Sequence, residues 1–522
     1  MRTIRSAALG AACAAALAAS TPLPLCAQTS TYELLQTFSG LLNQIRVNYV
    51  DSVTTQHLVR GAIEGMLASL DPHSYYLEHN QSERLDAWRA GKLAATGIIV
   101  ESVEGAITVG AVIAGSPAER AHVAPGDRIV TLNDSAVAGL SSQAVQSRLL
   151  GARGTKIRLR LERGPRLDPD TVSLTVRCDE IQPRSVTRER RLAGGIGYIR
   201  FSEFNYEAGR EVRDAIDRVT DGSASRRIIL DMRGNPGGAL IAAQDVLSSF
   251  LAKGQMAFRT KGRHPDATHE FPVERDGRYR DVRLVVLIDE HSASAAEAVA
   301  GSLQDHDRAV IMGRRSFGKA LMQRPFLIPP ADDEAWLTVG YVTTPSGRLI
   351  QRRYEGLSSG QYWALAGKGG ASADTVLEYR TDSGRVVRGG GGILPDSVLP
   401  APAEVPAWFV AASDSGFDDA VADSVALSLP RDTTAQAAWT SNPAEWPARL
   451  LGPLVDRARA RLGVTARVDS AQGARIARAM AARVAQVRWG AGAADALLVS
   501  SDPEIATAAA VLSRPRPTTA PE

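Results

Sequence analysis

Aromatic residues and net charge are both scarce in this chain of 522 residues. Aromatic side chains make up 5% of the residues, and 60 basic against 57 acidic residues leave a formal net charge of +3. Proteins that bind nucleic acids usually have a basic excess, and those that bind single strands also offer aromatic rings for stacking. We therefore expect no nucleic-acid partner.

Cysteine and long apolar runs are also rare. The cysteines are Cys13, Cys26 and Cys178. Residues 1–27 combine arginines at positions 2 and 5, a short Ala/Leu run and the sequence Leu-Cys-Ala, which is the layout of a signal peptide cleaved after Ala27. Cleavage would leave Cys178 alone and so exclude an internal disulfide. No other segment has the length and apolarity of a membrane span, so we expect a periplasmic or secreted protein without a stable span.

The length exceeds that of one hydrophobic core, so the chain should divide into several domains. Residues 28–89 carry apolar positions at helical spacing and predict an N-terminal helical segment. Residues 90–180 consist of short β-rich runs broken by glycine, with a short helix within "GSPAERAHVAPGDRIVTLN" and a further helix at "SSQAVQSRLL". Strands and helices alternate over 181–400, which is typical of an α/β core. Residues 401–522 are rich in alanine and predict a helical C-terminal extension of unknown role.

The stretch "SASAAEAVAG", residues 292–301, directly follows the apolar run "RLVVLIDE". An apolar run followed by small helix-forming residues predicts a buried strand that turns into a helix. Many α/β enzymes hold their nucleophile at such a turn. A tightly packed helix N-terminus would produce the same pattern, so the residues around it must decide.

Three hypotheses for the chemistry follow from these surroundings. A serine–histidine–acid triad would use His291 or His306, but neither lies in a signature such as G-x-S-x-G. "SFGK" matches the S-x-x-K pattern, in which Ser316 and Lys319 would share a helical face. Glycine inside that motif is a poor helix former, however, and no S-D-N or K-T-G motif follows.

The third hypothesis pairs Ser294 with Lys319. A lysine amine has a pKa of about 10.4 in water, but burial disfavours its charged form, so a desolvated lysine can accept the proton of a serine. Such a base needs a polar neighbour to orient it, and Gln323 lies four residues further on. No group of His, Cys, Asp and Glu has the spacing of a metal site, so we expect neither a metal nor a cofactor.

The chain resembles the carboxyl-terminal processing proteases, also called tail-specific proteases. The resemblance covers residues 30–400 and rests on several motifs in the family's order: "LDPHSYYL", "GSPAERAHVAPGDRIVTLN", "LDMRGNPGG", "SASAAEAVAG", "SFGKALMQ", "TTPSGRLI" and "GILPD". It implies a multidomain α/β protein with a PDZ domain at 90–180 and a ClpP/crotonase-like protease core at 181–400. It also implies a serine endopeptidase in which Ser294 is the nucleophile, Lys319 the general base and Gln323 the orienting residue.

The same resemblance implies two backbone sites. The oxyanion hole would consist of the N–H groups of Ala295 and of a glycine in "NPGG", for which we favour Gly238 over Gly237. The PDZ domain would bind polypeptide substrates by their free C-termini, at a loop that contains Gly97. Its substrate-binding residues would be Gly97, Ile98 and Ile99. The alternative to an enzyme is a catalytically silent PDZ scaffold that tethers polypeptides outside the cytoplasm.

Overall fold

The computed structural model describes residues 30–89, 94–103, 106–113, 115–163, 170–181, 184–220, 226–365 and 377–514. The predicted signal peptide lies outside the described residues. The chain divides into two compact units, residues 1–69 and 70–522. The domain boundaries predicted from the sequence are finer than this division and stay predictions.

The described part of the first unit consists of two helices, α1 (Thr31–Asn48) and α2 (Thr55–Ala68). Each begins where a hydroxyl side chain caps the first turn. The Ser30 hydroxyl accepts a bond from the Glu33 N–H, and the Glu33 carboxylate accepts one from the Ser30 N–H. The helical expectation for this segment is confirmed.

The second unit opens with a short strand and a helix, β1 (Tyr75–Leu77) and α3 (His79–Arg89). The strand departs from the helical prediction for residues 28–89. It forms because it pairs in antiparallel register with the strand at 333–343, with Tyr75 opposite Trp336 and their rings stacked 5.8 Å apart. Such pairing partners lie far away in sequence and leave no local periodicity.

A β-rich region follows. Its elements are β2 (Ala94–Ala95), β3 (Ile98–Val103), β4 (Ala106–Val112), α4 (Pro117–Arg120), β5 (Arg128–Leu132), β6 (Ser135–Ala136), α5 (Ser142–Arg148), β7 (Lys156–Arg163), β8 (Asp170–Arg177) and β9 (Asp179–Glu180). The sheet order is β3-β4-β5-β7-β8, which leaves β3 at an edge, and α5 packs against β3. Alternate residues of β7 are buried, as expected for a sheet with one face on a core.

The described residues of the next region form two large sheets, a two-stranded sheet and four α-helices. Its elements are β10 (Val186–Leu192), β11 (Ile196–Phe201), α6 (Ala208–Thr220), β12 (Arg227–Asp231), α7 (Leu240–Leu247), β13 (Met256–Gly262), β14 (His269–Pro272), β15 (Arg283–Ile288), α8 (Ala295–Asp305), β16 (Val310–Gly313), β17 (Leu321–Ile328), β18 (Asp333–Thr343), α9 (Ser359–Ala364), β19 (Glu378–Arg380), β20 (Val386–Arg388) and β21 (Ser397–Val398).

The central sheet has the order β10-β11-β12-β15-β16-β21 and is parallel from β11 to β21. The second sheet has the order β1-β18-β13-β14, with β17 also paired to β18. Helices α6, α7 and α8 and both sheets share one buried apolar core. The carboxyl ends of β12 and β15 are neighbours at one edge, so the loops that follow them meet there.

The C-terminal extension is helical, as predicted. Its helices are α10 (Ala407–Asp414), α11 (Phe417–Ser428), α12 (Thr433–Ser441), α13 (Gly452–Leu462), α14 (Ser470–Trp489), α15 (Ala491–Ser500) and α16 (Pro503–Ser513). Arg233 of the α/β core pairs with Asp502 and Glu504, and Gln486 of α14 donates to the carbonyl oxygen of Pro125 in the β-rich region. The extension thus contacts both preceding regions.

Among the described helices, no single one has both the length and the apolarity of a membrane span. Helices α15 and α16 have both only when taken together, and the pair is bent by 59°.

Candidate active site

Ser294 ends the loop after β15 and immediately precedes α8. Its backbone has φ 57° and ψ −117°, a conformation that is costly for a residue with a side chain. The neighbouring loop after β12 supports it, because the Ala293 N–H donates to the carbonyl oxygen of Asn235 at 2.9 Å. The predicted strand, turn and helix are confirmed, and the turn presents Ser294 at the sheet's carboxyl edge.

Two glycines allow the loop after β12 to pack closely against its neighbours. A Cβ atom on Gly237 would lie 2.7 Å from the Ala293 carbonyl oxygen and 2.8 Å from the Ala295 nitrogen. A Cβ atom on Gly238, which has φ 145°, would lie 2.3 Å from the Phe204 carbonyl oxygen. A larger residue at Gly237 would therefore push the loop away from Ser294, and one at Gly238 would push it away from Phe204.

Two backbone N–H groups near Ser294 remain available to a ligand. The Gly237 N–H donates to Asn235 Oδ1 at 2.9 Å. Within the described residues, the N–H groups of Gly238 and Ala295 donate to no acceptor. The geometry agrees with the choice of Gly238 over Gly237 for the oxyanion hole, and the assignment itself stays a prediction.

Lys319 and Gln323 approach Ser294 from the second sheet. All three side chains line one cavity of about 740 Å³, together with Tyr75, Leu85, Glu203, Phe204, Asn205, Tyr206, Pro236, Gly237, Gly238, Ala239, Leu240, Ile241, Asp266, His269, Leu321, Met322, Arg324 and Trp336. Lys319 lies just before β17 and Gln323 within it. The four-residue spacing between them therefore runs along the start of a strand.

The electrostatics of Lys319 favour its neutral form more than water does. Burial lowers the pKa of the Lys319 amine, and the carboxylates of Glu297 and Asp71 offset only part of that effect. The described contacts contain no hydrogen bond between Ser294 Oγ and Lys319 Nζ, as is common before a substrate is bound. The cavity thus combines a strained serine with an amine whose pKa lies below its usual value.

Glu297 links the two halves of this site and was not predicted to do so. Its carboxylate is fully buried and accepts bonds from the N–H groups of Ser294 (2.9 Å), Gly318 (2.6 Å) and Lys319 (2.8 Å), and from the Ser316 hydroxyl. Burial raises the pKa of Glu297 to about 7, although these four donors lower it. One side chain therefore fixes the backbone at both Ser294 and Lys319.

The turn in "LDPHSYYL" supports Gln323 from the other side. The buried Asp71 carboxylate accepts a bond from the Ser74 hydroxyl at 2.7 Å, and that hydroxyl accepts one from the Thr338 N–H at 3.1 Å. The Gln323 amide then donates to Thr338 Oγ1 at 3.2 Å. The motif was recognisable in the sequence, but its place in the site depends on β1 pairing with β18.

The structure does not support the two rival catalytic hypotheses. Ser316 is 1% exposed, donates to Glu297 and accepts from the Ile393 N–H, and it lies in a loop rather than a helix. His306 is the C-cap of the 11-residue helix α8, twelve residues after Ser294 and therefore about 18 Å away at about 1.5 Å per residue. His291 is exposed in the loop after β15 and lies 4.0 Å from Asp289.

One group of potential metal ligands occurs among the described residues, Asp289, Glu290 and His291. Asp289 already accepts bonds from the Gly234 N–H and the Ser292 hydroxyl, and Glu290 pairs with Arg314. The carboxylates of Asp289 and Glu290 are therefore already held by protein groups.

The predicted tail-binding loop lies at the start of β3. Gly97 has φ 86°, and a Cβ atom there would lie 2.2 Å from the Ser116 Cβ, so the position requires glycine. Ile98 is buried in the core of the β-rich region, whereas Ile99 is 47% exposed. Of the two isoleucines, Ile99 is therefore the one accessible to a ligand.

Three family profiles match the chain. Peptidase family S41 matches residues 195–359, the PDZ domain matches residues 108–163, and the N-terminal domain of the activating protease CtpB matches residues 24–81. The first covers Ser294, Lys319 and Gln323, and the second covers most of the β-rich region.

Curated relatives align over more than half of this chain. The carboxy-terminal-processing protease of Bartonella bacilliformis is 33% identical over 328 residues, which is 62% of this chain and 74% of that protein. The carboxy-terminal processing protease CtpA of Bacillus subtilis is 31% identical over 313 residues, 59% of this chain and 65% of that protein. A solved photosystem II D1 C-terminal processing protease aligns over 71% of this chain and 93% of its own, at 23% identity and a TM-score of 0.37.

The family profiles and the curated relatives define a PDZ-containing serine-type peptidase. The chain belongs to the carboxy-terminal processing proteases of peptidase family S41. This membership argues against the alternative of a catalytically silent scaffold.

Proposed function

We propose that the protein binds the C-terminal tails of polypeptides at its PDZ domain and hydrolyses peptide bonds with a Ser294–Lys319 dyad. The main support for the catalytic part of this proposal is the cavity that Ser294 and Lys319 share. It brings together a strained serine, an amine with a lowered pKa and two available backbone N–H groups. A histidine is not needed for this chemistry.

In the first step, the neutral Lys319 amine accepts the Ser294 hydroxyl proton while Oγ attacks the carbonyl carbon of the scissile bond. The oxygen of the tetrahedral intermediate becomes negatively charged and binds the N–H groups of Gly238 and Ala295. The ammonium of Lys319 then returns its proton to the leaving amine, which departs with the C-terminal fragment. Ser294 is left as an acyl ester.

In the second step, water attacks the ester. Lys319 accepts a proton from the water, the same N–H groups stabilise the second oxyanion, and the proton passes to Ser294 Oγ as the acid product leaves. Gln323 keeps the amine directed at Ser294, because its own amide is fixed by Thr338. Every proton taken up by Lys319 is thus released within the same half-reaction.

A small recess beside Ser294 suggests the residue that precedes the cleaved bond. It measures about 10 Å³, and besides Ser294 and Lys319 it is lined by five apolar residues and two threonines: Leu240, Ala298, Ala320, Val342, Ile350, Thr343 and Thr344. A volume of this size holds a group comparable to one water molecule or methyl group. We therefore expect alanine to be preferred there over larger apolar residues.

The tail-binding half of the proposal rests on the PDZ match and on the position of β3 at the end of its sheet, where no described strand pairs with its outer side. A peptide can add to that edge as a further strand, with its carboxylate at the backbone N–H groups that follow Gly97. We also propose a location outside the cytoplasm, on the basis of the signal-like residues 1–27.

Labelling with a fluorescent fluorophosphonate tests the nucleophile. We expect the unmodified protein and the Ser316→Ala variant to be labelled and the Ser294→Ala variant to remain unlabelled, with circular dichroism showing that both variants fold. Labelling of the Ser294→Ala variant, or its loss only in the Ser316→Ala variant, would assign the reaction to another serine.

A further inference from the structure

The exposed edge of the PDZ sheet is already occupied by a side chain. Gln146 projects from α5 and bonds to two backbone groups of β3 with one carboxamide. Its Nε2 donates to the Ile98 carbonyl oxygen at 2.9 Å, and its Oε1 accepts from the Val100 N–H at 3.0 Å. These backbone groups face α5 and not β4, on the side where a further strand would add.

A carboxamide offers the same donor and acceptor as a peptide unit. An antiparallel strand added to β3 would bond to the carbonyl oxygen of one residue and the N–H of the residue two further on, because alternate residues of a strand face the same side. Ile98 and Val100 have this relation. Gln146 therefore makes the pair of bonds that the backbone of a bound tail would make.

The Gln146 bonds lie at the same backbone groups of β3 that a bound tail would use. Ile98 follows Gly97, whose loop is the proposed site of the terminal carboxylate. The last residues of a tail would consequently lie against Ile98 and Val100, where Gln146 is bonded. The groove cannot hold a paired strand and the Gln146 carboxamide at the same time.

We propose that Gln146 is a built-in competitor for the substrate tail, which must swing off the edge of β3 before a tail can pair with it. This inference rests on the proposed tail binding. It makes the apparent affinity for tails depend on the fraction of molecules in which Gln146 has left the edge. Covering a free edge also protects it from pairing with other chains, which explains why a polar residue lies here.

The expected effect follows from two hydrogen bonds between neutral groups. Each of these bonds contributes a net free energy of the usual size that holds Gln146 on β3. The side-chain entropy that Gln146 regains on release offsets part of this free energy. The remainder corresponds to a change of about tenfold in the affinity for the tail. Removal of the carboxamide should therefore tighten tail binding by about that factor. The gain should appear for peptides with a free carboxylate.

The test measures the Kd of a fluorescein-labelled decapeptide that ends in Ala-Leu-Val, by fluorescence anisotropy, on the full chain with Ser294→Ala to prevent cleavage. We expect Gln146→Ala and Gln146→Met to bind it about tenfold more tightly than the parent. Methionine keeps the length of the side chain without its polar atoms. Arg148→Lys, an exposed substitution on the same helix, serves as the control and should leave the Kd unchanged.

Equal affinity of the parent and both Gln146 variants would overturn the competitor role and leave tail binding intact. Weaker binding by the variants would also overturn it, since Gln146 would then contact the tail. If neither the parent nor the variants bound the free-acid peptide in preference to its C-terminal amide, the proposed tail binding would fail, and the competitor role with it.

Hydrogen exchange provides a second readout on the same proteins. The Val100 amide should exchange faster in Gln146→Ala than in the parent, and added peptide should protect it again. Unchanged protection across β7 would show that the domain remains folded. If the Val100 amide were equally protected in the parent and the variant, Gln146 would not hold the edge and the inference would be wrong.

Discussion

Replacement of Glu297 by glutamine tests whether one buried carboxylate holds the two reacting residues in place. The carboxylate accepts four bonds, from the Ser316 hydroxyl and Gly318 N–H on Oε1 and from the Ser294 and Lys319 N–H groups on Oε2. A carboxamide retains one acceptor oxygen. Whichever way it is turned, two of the four donors would face an NH₂ group.

The magnitude follows from these two lost bonds. A bond to a charged acceptor contributes about 1.5–3 kcal/mol, and a buried donor without an acceptor adds its own cost, so we expect the free energy of unfolding to fall by about 3–5 kcal/mol. The Ser294 N–H would also lose its acceptor whenever the NH₂ group faces it. We therefore expect kcat to fall at least about 100-fold, because a small misplacement of reacting groups is costly.

Urea unfolding and hydrolysis of an internally quenched peptide measure these two effects. Glu355→Gln is the matched control, because Glu355 is exposed and its pair with Arg353 spans 3.7 Å; it should change the unfolding free energy by less than about 0.5 kcal/mol. If Glu297→Gln were as stable and as active as this control, the role given to Glu297 would be refuted.

Three further predictions concern neighbouring residues. Lys319→Arg should be inactive although the charge is kept, because a guanidinium does not deprotonate at working pH; near-normal hydrolysis would show that another group accepts the proton. Ser74→Ala should lower kcat about tenfold with little change in KM, since Thr338 loses the acceptor that orders the segment holding Gln323; a change in KM alone would contradict this. Peptides with alanine before the cleaved bond should give a higher kcat/KM than matched leucine peptides, and the reverse order would show that the recess beside Ser294 does not bind that side chain.

Much of the site was predictable because its signals are local. An apolar run, small residues and a helix-forming segment identify the turn at Ser294, and the glycines and proline of "GNPGG" identify a tight turn after the preceding apolar run. The order of strands and helices over 181–400 likewise follows from periodicity. These features depend on residues close together in the chain.

The parts that were not predictable depend on contacts between distant segments. In the sequence, Glu297 is an ordinary glutamate in the first turn of a helix. Its role depends on the bonds that its carboxylate accepts from Gly318 and Lys319, about twenty residues further along the chain. Ser74 acts on Thr338 only because β1 pairs with β18. Gln146 looks like a surface residue of a short helix, and its bonds to β3 appear only when α5 lies along the sheet edge.

The most direct test of the Ser–Lys account is to change the acidity of the amine at position 319 and follow the pH dependence of activity. Lys319→Cys, alkylated with bromoethylamine, restores the side chain with a sulfur atom in place of one methylene, and the sulfur makes the amine more acidic. Cys178 is fully buried and so protected from the reagent, and Cys13 and Cys26 are replaced by serine. The unmodified cysteine variant serves as the control and should be inactive.

The measurement is kcat/KM against pH for the unmodified protein and the alkylated variant, with folding checked at each pH. Because burial lowers the pKa of Lys319, activity should rise with pH at a midpoint below the usual lysine value of about 10.4. In the alkylated variant this rise should move to lower pH. If the rise stayed at the same pH in both proteins, and especially if it lay near about 6.5 and vanished when His291 or His306 was replaced, the proton acceptor would not be Lys319.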